Sequence, residues 1–182
     1  MRDSKIIKIE DTKFIFDTNF SGDPERDIYG NDDRKANLII PTEEQATDLW
    51  NAGFNVKVSF KKDDKERLNL KKTTAKFDVY LDVKDDLEEA VTFYVPIIAN
   101  YDSEWPPKIY LVCGDADPEL LTIDTVKRID RVYVLNVNAI LNPYHNTKNG
   151  ADSWSLYIRT MYVEQDEDED PYAEKYRNRK TN

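Results

Sequence analysis

The stretch SWSLYIRTMYV, residues 153–163, is the strongest strand-forming segment of this 182-residue chain. It is rich in aromatic and β-branched residues, which favour extended backbone. Because successive side chains of a strand point to opposite faces, strict alternation divides the segment into a core side and an exposed side. The core side holds Trp154, Leu156, Ile158, Thr160 and Tyr162, and the exposed side holds Tyr157, Arg159 and Met161.

Shorter segments of the same kind recur along the chain and are separated by polar turns. Two of them alternate clearly: Phe54, Val56, Val58 and Phe60 share one face, and Phe77, Val79, Leu81 and Val83 share another, with Tyr80 pointing outward. Several such strands predict an all-β fold, either a sandwich or a barrel. The predicted strands cover residues 5–10, 13–16, 36–40, 54–60, 75–83, 92–99, 108–113, 131–141 and 153–163.

Helical signals are few. Thr42 and Gln45 form a capping box, which predicts a helix over residues 43–51 that ends at Gly53. A second short helix or turn is predicted at residues 124–129. The remaining polar segments are predicted loops, where binding chemistry is usually found, at residues 61–74, 101–107 and 142–152.

The formal net charge of −10 is spread unevenly. Residues 54–84 carry 9 basic and 5 acidic side chains, whereas residues 85–130 carry 3 and 11. The single cysteine, Cys113, excludes an intrachain disulfide and suits a reducing compartment. No segment has the roughly 18 apolar residues that span a bilayer, and residues 1–8 lack the apolar core of a signal peptide. We therefore expect a cytoplasmic protein.

Catalytic chemistry has little support in the sequence. His145 is the only histidine, and Cys113 follows an apolar run in which a buried thiol is favoured over a nucleophile. Asp115 and Asp117 are candidate ligands of a divalent ion, but their Gly-Asp-Ala-Asp-Pro context is more typical of a turn. The chain has no phosphate-binding loop, dinucleotide fingerprint or nucleophile elbow. We expect no enzyme activity, no cofactor and no metal.

Seven basic residues fall within sixteen positions, between two predicted strands. They are Lys61, Lys62, Lys65, Arg67, Lys71, Lys72 and Lys76. One interpretation is a solvated hairpin tip. The other is a flexible cationic loop that lies along a phosphodiester backbone, where each neutralised phosphate releases counterions.

Aromatic side chains that are predicted to point away from the core favour the second interpretation. They are Tyr80, Tyr94, Trp105, Tyr144 and Tyr157, the last of them beside Arg159. Each ring alone is more typical of packing than of stacking. Exposed rings beside cations are, however, what unstacked bases need, and stacking on an aromatic ring contributes roughly 1–3 kcal/mol per base.

The predicted strand at residues 153–163 leads directly into a dense acidic segment, in which six of seven residues are carboxylates. They are Glu164, Asp166, Glu167, Asp168, Glu169 and Asp170. A run of like charges repels itself and stays solvated, so residues 164–182 are expected to form a tail outside the folded domain. The tail is either a solubilising terminus or an anionic segment that competes with nucleic acid for a basic groove or recruits partner proteins.

Several segments of the chain resemble a family of phage-encoded single-stranded-DNA-binding proteins, and the resemblance spans residues 14–172. The segments are Phe16 to Glu25, Trp105 to Leu111, Val134 to Asn138, Leu141 to Tyr144 and Tyr157 to Gln165. The resemblance implies one OB-fold-like barrel with long loops and an acidic C-terminal tail. It also implies a role in phage replication, recombination or repair in the host cytoplasm, with the tail contacting replication proteins.

Together these features predict a sequence-independent single-stranded-DNA-binding protein with a nucleic-acid-binding domain at 1–163. The alternative is an acidic interaction protein that mimics DNA or inhibits a host defence complex, and a homodimer stays open. The predicted partner-binding residues are the six carboxylates of the tail. The predicted DNA-binding residues are Lys57, Lys61, Lys62, Lys71, Lys72, Lys76, Tyr80, Tyr94, Trp105, Lys108, Tyr144, Tyr157 and Arg159.

Overall fold

The computed structural model describes residues 5–147 and 153–166. Strands dominate this part of the chain, which confirms the prediction of a β-rich fold. The strands are β1 Ile7–Thr12, β2 Phe14–Asn19, β3 Lys35–Ile40, β4 Lys57–Ser59, β5 Thr74–Lys76, β6 Thr92–Ile98, β7 Lys108–Cys113, β8 Glu119–Leu121, β9 Val134–Asn146 and β10 Ser153–Gln165.

The described residues contain more helix than the sequence predicts. The α-helices are α1 Glu43–Asn51, α2 Lys62–Arg67 and α3 Phe77–Val83, and short 3-10 helices lie at Pro24–Arg26, Lys84–Asp86 and Val126–Arg131. The predicted helix at 43–51 is confirmed together with its cap, because the Thr42 hydroxyl accepts a hydrogen bond from the Gln45 backbone N–H at 3.1 Å.

The first two strands form one kinked path that joins both ends of the sheet. Only Lys13 separates β1 from β2, and Asp11 near the kink has a φ of 52°. β1 pairs with β9, β2 pairs with β3, and the order of the strands between these two pairs is β9-β10-β6-β3. At the kink, the Ile39 N–H donates to the Lys13 carbonyl at 3.0 Å. The strands therefore close into a circuit of five paths: the kinked β1–β2 path, β3, β6, β10 and β9.

The last strand holds this circuit together. β10 pairs antiparallel with β9 over almost its whole length, while its first half meets β6 and its second half meets β7, both in parallel. Two further pairs extend the sheet beyond the circuit: β8 pairs with β7, and the β4–β5 hairpin pairs with β6. The hairpin therefore lies beside β6 and outside the circuit.

Inward-facing apolar residues of the circuit make one core. Leu38, Ile97, Leu141 and Ile158 are almost fully buried, and they come from four different strands. The predicted inward face of residues 54–60 is confirmed, since all four apolar side chains of that face are buried. None of the described helices has the length and apolarity that crossing a bilayer requires.

The predicted strand at residues 75–83 is wrong, because most of it is α3. The buried residues of this helix are Phe77 and Tyr80, which lie three positions apart and so share one helical face. Leu81, predicted to point inward, is exposed. The alternation of apolar residues satisfies the period of a strand, but the helix brings Phe77 and Tyr80 together against Trp50 of α1 and Phe93 of β6.

The predicted alternation of β10 is correct only in its first half. Leu156 and Ile158 are buried as predicted, but Met161 and Val163 are buried too, and Tyr162 is exposed. The pairing with β9 shifts between Ile158 and Thr160, so Arg159 is an extra residue in a β-bulge. One extra residue reverses the phase of every side chain that follows it.

Candidate nucleic-acid interface

A row of side chains crosses the outer surface of four strands. Lys76 of β5 lies opposite Lys57 of β4, Lys57 lies opposite Tyr94 of β6, and Tyr94 lies opposite Ile39 of β3. Directly opposed residues share a face of the sheet. The row faces away from the core, since their neighbours Val58, Phe93 and Leu38 are buried on the other side. Lysines and an aromatic residue thus stand side by side on one surface.

Phe16 of β2 completes this row. Its ring meets the Tyr94 ring edge-on, with 5.4 Å between centroids, and its side chain is 53% exposed. Its φ of 63° is unusual for a bulky residue. Strained backbone of this kind concentrates at functional sites. The sequence analysis missed Phe16, which ends the predicted strand at residues 13–16, whereas β2 continues to Asn19.

Tyr94 itself is not available for stacking, which corrects its prediction as a DNA contact. It points outward as predicted, but it is only 4% exposed beneath Phe16. Burial raises the pKa of Tyr94, and a hydrogen bond to the Thr74 side chain partly offsets this rise. The ring therefore supports Phe16 rather than offering its own face. The strand pattern predicts that Tyr94 points outward, but it does not predict that Phe16 covers the ring.

A second group of aromatic side chains lies further along the same surface. Tyr157 of β10 is opposite Ile98 of β6, and the Tyr144 ring of β9 meets the Tyr157 ring edge-on at 5.4 Å. Tyr144 is 53% exposed, and Tyr157 is half-buried. Burial is the main cause that raises the pKa of Tyr157, followed by Tyr144 and Asp33. Tyr144 thus packs against the edge of the Tyr157 ring at the surface.

These two groups belong to one continuous surface. Tyr94 and Ile98 are four residues apart on β6, which places the groups roughly 13 Å apart at the usual rise of a strand. Pro96 and Asn37 lie between them on the same face. We call this surface the candidate face. It consists of Phe16, Asn37, Ile39, Lys57, Lys76, Tyr94, Pro96, Ile98, Tyr144 and Tyr157.

The predicted basic loop lies at the tip of the β4–β5 hairpin and is partly helical. Lys61, Lys71 and Lys72 are exposed there. Helix α2, with sequence KDDKER, has equal numbers of acidic and basic residues, and the Lys62 ammonium lies 4.0 Å from the Glu66 carboxylate. The positive charge of the hairpin is therefore found before and after α2 rather than within it.

Tyr80 is not part of this surface, and its prediction as a DNA contact is wrong. It lies in α3, is 8% exposed, and packs against Phe77 and Phe93. Its hydroxyl donates to Glu43 Oε1 at 2.8 Å, and burial together with this carboxylate raises the pKa of Tyr80 to about 12. The physical reason is the helix, which turns Tyr80 into the same aromatic pocket as Phe77.

The remaining predicted DNA contacts are at the surface but spread out. Trp105 is 83% exposed in the loop between β6 and β7. Lys108 is exposed at the start of β7, opposite Thr160. Arg159 is exposed at the bulge of β10, two residues beyond Tyr157. The β2–β3 loop adds an exposed pair that sequence analysis missed, Ile28 and Tyr29.

Only part of the predicted acidic tail is described. Glu164 belongs to β10, which continues to Gln165, and the Asp166 N–H donates to the Tyr133 carbonyl at 2.8 Å. Glu167, Asp168, Glu169 and Asp170 lie outside the described residues. Within residues 5–147 and 153–166, no group of three His, Cys, Asp or Glu side chains is close enough to hold a metal ion.

The sequence matches the family model described as "Putative phage ssDNA-binding domain" over residues 2–179. The match covers nearly the whole chain, and the chain therefore belongs to this family of phage single-stranded-DNA-binding domains. The family membership predicted from the sequence is confirmed. Among curated proteins, none matches the sequence significantly.

Solved structures of two phage proteins are similar to the chain. The single-stranded DNA-binding protein from bacteriophage Enc34 in complex with ssDNA has a TM-score of 0.47 at 10% identity, covering 88% of this chain and 86% of that chain. Its C-terminal truncation has a TM-score of 0.46 at 8% identity, with the same coverage of both chains. The single-stranded DNA binding protein gp2.5 of bacteriophage T7 has a TM-score of 0.39 at 11% identity, covering 91% and 96%.

Proposed function

We propose that this chain binds single-stranded DNA along the candidate face with little sequence preference. The observation that carries the proposal is the row of Lys76, Lys57 and Phe16 on a surface that continues to Tyr157 and Tyr144, in a chain that belongs to a single-stranded-DNA-binding family. Lysines contact phosphates and aromatic rings stack on bases, and neither reads the edge of a base.

We infer that the closed five-path circuit is a barrel of the OB type. Barrels of this type bind oligonucleotides on the outer face of their second and third strands and with the loops that flank this face. In the circuit these two paths are β3 and β6, which carry the centre of the candidate face. The β2–β3 loop with Tyr29 and the β9–β10 connection beyond Tyr144 are then the flanking loops.

The net charge of −10 does not oppose this mode of binding, because a groove needs only local positive potential. Lys57, Lys76, Lys71 and Lys72 supply it along the β4–β5 hairpin. The same net charge supports the alternative function, an acidic protein that mimics DNA or blocks a host defence complex. Such a protein does not need an exposed row of lysines and aromatic rings.

The wider role that we propose is in phage DNA replication, recombination or repair in the host cytoplasm, without enzyme activity of its own. The acidic segment after β10 recruits replication or recombination proteins in this proposal. The family match supports the DNA-binding part of the role, and the composition of the segment supports the partner-binding part.

The first test is the salt dependence of binding to a labelled single-stranded oligonucleotide. Each phosphate contact contributes about 0.7 to the slope of log affinity against log salt for single strands. The double variant Lys57→Ala/Lys76→Ala should therefore lower the slope by about 1.4. The matched control is Lys5→Ala/Lys8→Ala, because these exposed lysines lie in and before β1, which contributes no residue to the candidate face. An equal loss of slope in both variants would argue against the candidate face.

The second test separates stacking from charge. Tyr157→Ala should weaken single-strand binding by roughly 1–3 kcal/mol and leave the salt slope unchanged. Ile158→Ala, one position along the strand, should instead lower the free energy of unfolding by roughly 2–5 kcal/mol, because Ile158 is buried. Wild-type protein that binds duplex DNA as tightly as single strands would contradict the stacking model. Absence of any DNA binding would favour the alternative function.

A further inference from the structure

A cavity of about 470 Å³ opens at one end of the candidate face. Its walls come from Asp32, Asp33 and Arg34 at the end of the β2–β3 loop, from residues 98–102 at the end of β6, and from Ser155 and Tyr157 of β10. Its volume lies within the range of small-ligand pockets. Tyr157 belongs to both the cavity and the candidate face, so a strand that stacks on Tyr157 reaches the mouth of the cavity.

The charges of the cavity select against a phosphate group. Asp32, Asp33 and Asp102 contribute three carboxylates, while Arg34 contributes one cation. Asp33 is close enough to the Tyr157 hydroxyl to contribute to the raised pKa of Tyr157, after burial and Tyr144. A phosphate would meet repulsion from this set of carboxylates. The base of a nucleotide, which is neutral, would not.

Arg34 is held in a fixed position at the wall. Its Nη1 donates to the Phe20 carbonyl at 2.6 Å, and its guanidinium lies 5.8 Å from the centroid of the Tyr101 ring. A guanidinium has five N–H donors, so one bond to a carbonyl leaves others for a ligand. The cavity therefore combines acceptors on the carboxylates with donors on a rigid arginine.

We propose that this cavity binds one base of the single strand and prefers a base with an exocyclic amino group, cytosine above thymine. The proposal rests on the proposed function and deepens it. A carboxylate accepts a hydrogen bond from the N4 amino group of cytosine, and an arginine donates to the ring nitrogen or carbonyl beside it. Thymine and uracil present a carbonyl where cytosine has its amino group, and this carbonyl would face a carboxylate.

The preference is confined to one position of the bound strand. The other bases stack on Phe16 and Tyr157 or face solvent, so a strand of any sequence still binds. A homopolymer places the same base in the cavity whatever its register. The effect of the cavity therefore appears as a difference between homopolymers, rather than as a sequence motif.

The test compares oligo-deoxycytidine with oligo-deoxyuridine of equal length, at one salt concentration and with a chelator present. These strands differ in the base edge that the cavity contacts, and neither carries the methyl group of thymine. Wild-type protein should bind oligo-deoxycytidine at least about fivefold more tightly, the low end of discrimination by a base contact. The double variant Asp32→Ala/Asp33→Ala should bind the two strands equally. Asp48→Ala, an exposed aspartate of α1, should keep the wild-type ratio.

The outcomes separate this inference from the proposed function. Equal binding of both strands by the wild-type protein would overturn the base preference and leave single-strand binding intact. A preference that persists in the double variant would show that other residues distinguish the bases, and it would overturn the assignment of the preference to this cavity. Failure to bind either strand would overturn the proposed function itself. Because the ratio of two affinities is measured, the general gain in affinity from removing two negative charges cancels.

Discussion

The Tyr101 hydroxyl is a buried polar group with no hydrogen-bond partner among the described residues. Burial raises the pKa of Tyr101 to about 12, and Arg34 only partly opposes this rise. A buried donor without a partner costs about 1–3 kcal/mol. Tyr101→Phe should therefore raise the free energy of unfolding, measured by urea denaturation.

Tyr80→Phe is the matched control for this change. The same atom is removed from a ring that is also buried, but here the hydroxyl donates to Glu43 at 2.8 Å. We expect Tyr80→Phe to be neutral or to lower stability by about 1 kcal/mol. Two variants with equal effects would show that the missing partner of Tyr101 does not matter.

Asp64 ties helix α2 to the segment before β6. Its carboxylate accepts hydrogen bonds from Arg67 at 2.8 Å and from the N–H groups of Glu88 and Glu89. The hydrogen bond from Arg67 is the main cause that lowers the pKa of Asp64, although burial opposes it. A carboxylate with a lowered pKa in the folded state stabilises the fold above its unfolded pKa, which is about 3.9. This stabilisation is lost as the pH falls through the folded pKa.

Asp64→Asn should therefore lower the urea midpoint at pH 7, and the gap to wild type should close as the pH falls below about 4. The measurement is a series of urea titrations between pH 7 and pH 3. Asp63→Asn is the control, since Asp63 is exposed on the same helix. A gap that stays constant with pH would mean that the lost stability does not come from the charge of the Asp64 carboxylate.

The bulge at Arg159 sets which residues of β10 face the core. Deleting Arg159 should leave a regular strand, because Ile158 would stay inward and Met161 and Val163 would keep their phase. Deleting Tyr162 instead should turn Val163 outward. We expect the first variant to fold with a small loss of stability and the second to be strongly destabilised, as judged by thermal unfolding. Equal losses would mean that the curvature from the bulge matters more than the phase.

The sequence predicts those parts of the fold whose signals are local. Thr42 and Gln45 suffice for the start of α1, and the alternation around Leu156 and Ile158 suffices for the first half of β10. The bulge at Arg159 has no local signal, because its register depends on pairing with β9. Helix α3 is ambiguous for a different reason: Phe77 and Tyr80 fit the period of a helix, while Phe77, Val79, Leu81 and Val83 fit the period of a strand.

A residue of the candidate face was predictable where only the direction of its side chain on a strand decides whether it belongs to the face. Lys57, Lys76 and Tyr157 follow from alternation, whereas Tyr144 is predicted in the loop at residues 142–152 and lies in β9. The structure places all four on one surface. Their role in binding DNA remains a prediction. The cavity beside Tyr157 was not predictable, because its lining comes from segments that are far apart in sequence, among them residues 32–34, residues 98–102 and Tyr157. Only the closed circuit of strands makes them neighbours.

Acidic and basic regions of this molecule are separated along the chain, and this separation leads to the last prediction. The lysines lie on the β4–β5 hairpin, while the acidic segment begins at the end of β10, where Glu164 and Gln165 still pair with β7. A truncation should therefore keep residue 166 and remove only residues 167–182. We predict that this truncation tightens single-strand binding at low salt, because a tethered polyanion has a high effective concentration near the lysines.

Salt should remove this difference, since exposed charges are screened beyond about 10 Å at 0.1 M ionic strength. The measurement is the affinity for one oligonucleotide at two salt concentrations, for the full chain and the truncated chain. A full-length variant with Asn or Gln at positions 167–170 is the control for length, and it should behave like the truncation. If it behaves like wild type, the length of the segment and not its acidic charge causes the effect. Equal affinities of all three proteins at low salt would show that the acidic segment does not compete with DNA, which leaves it a solubilising role or the recruitment of partner proteins.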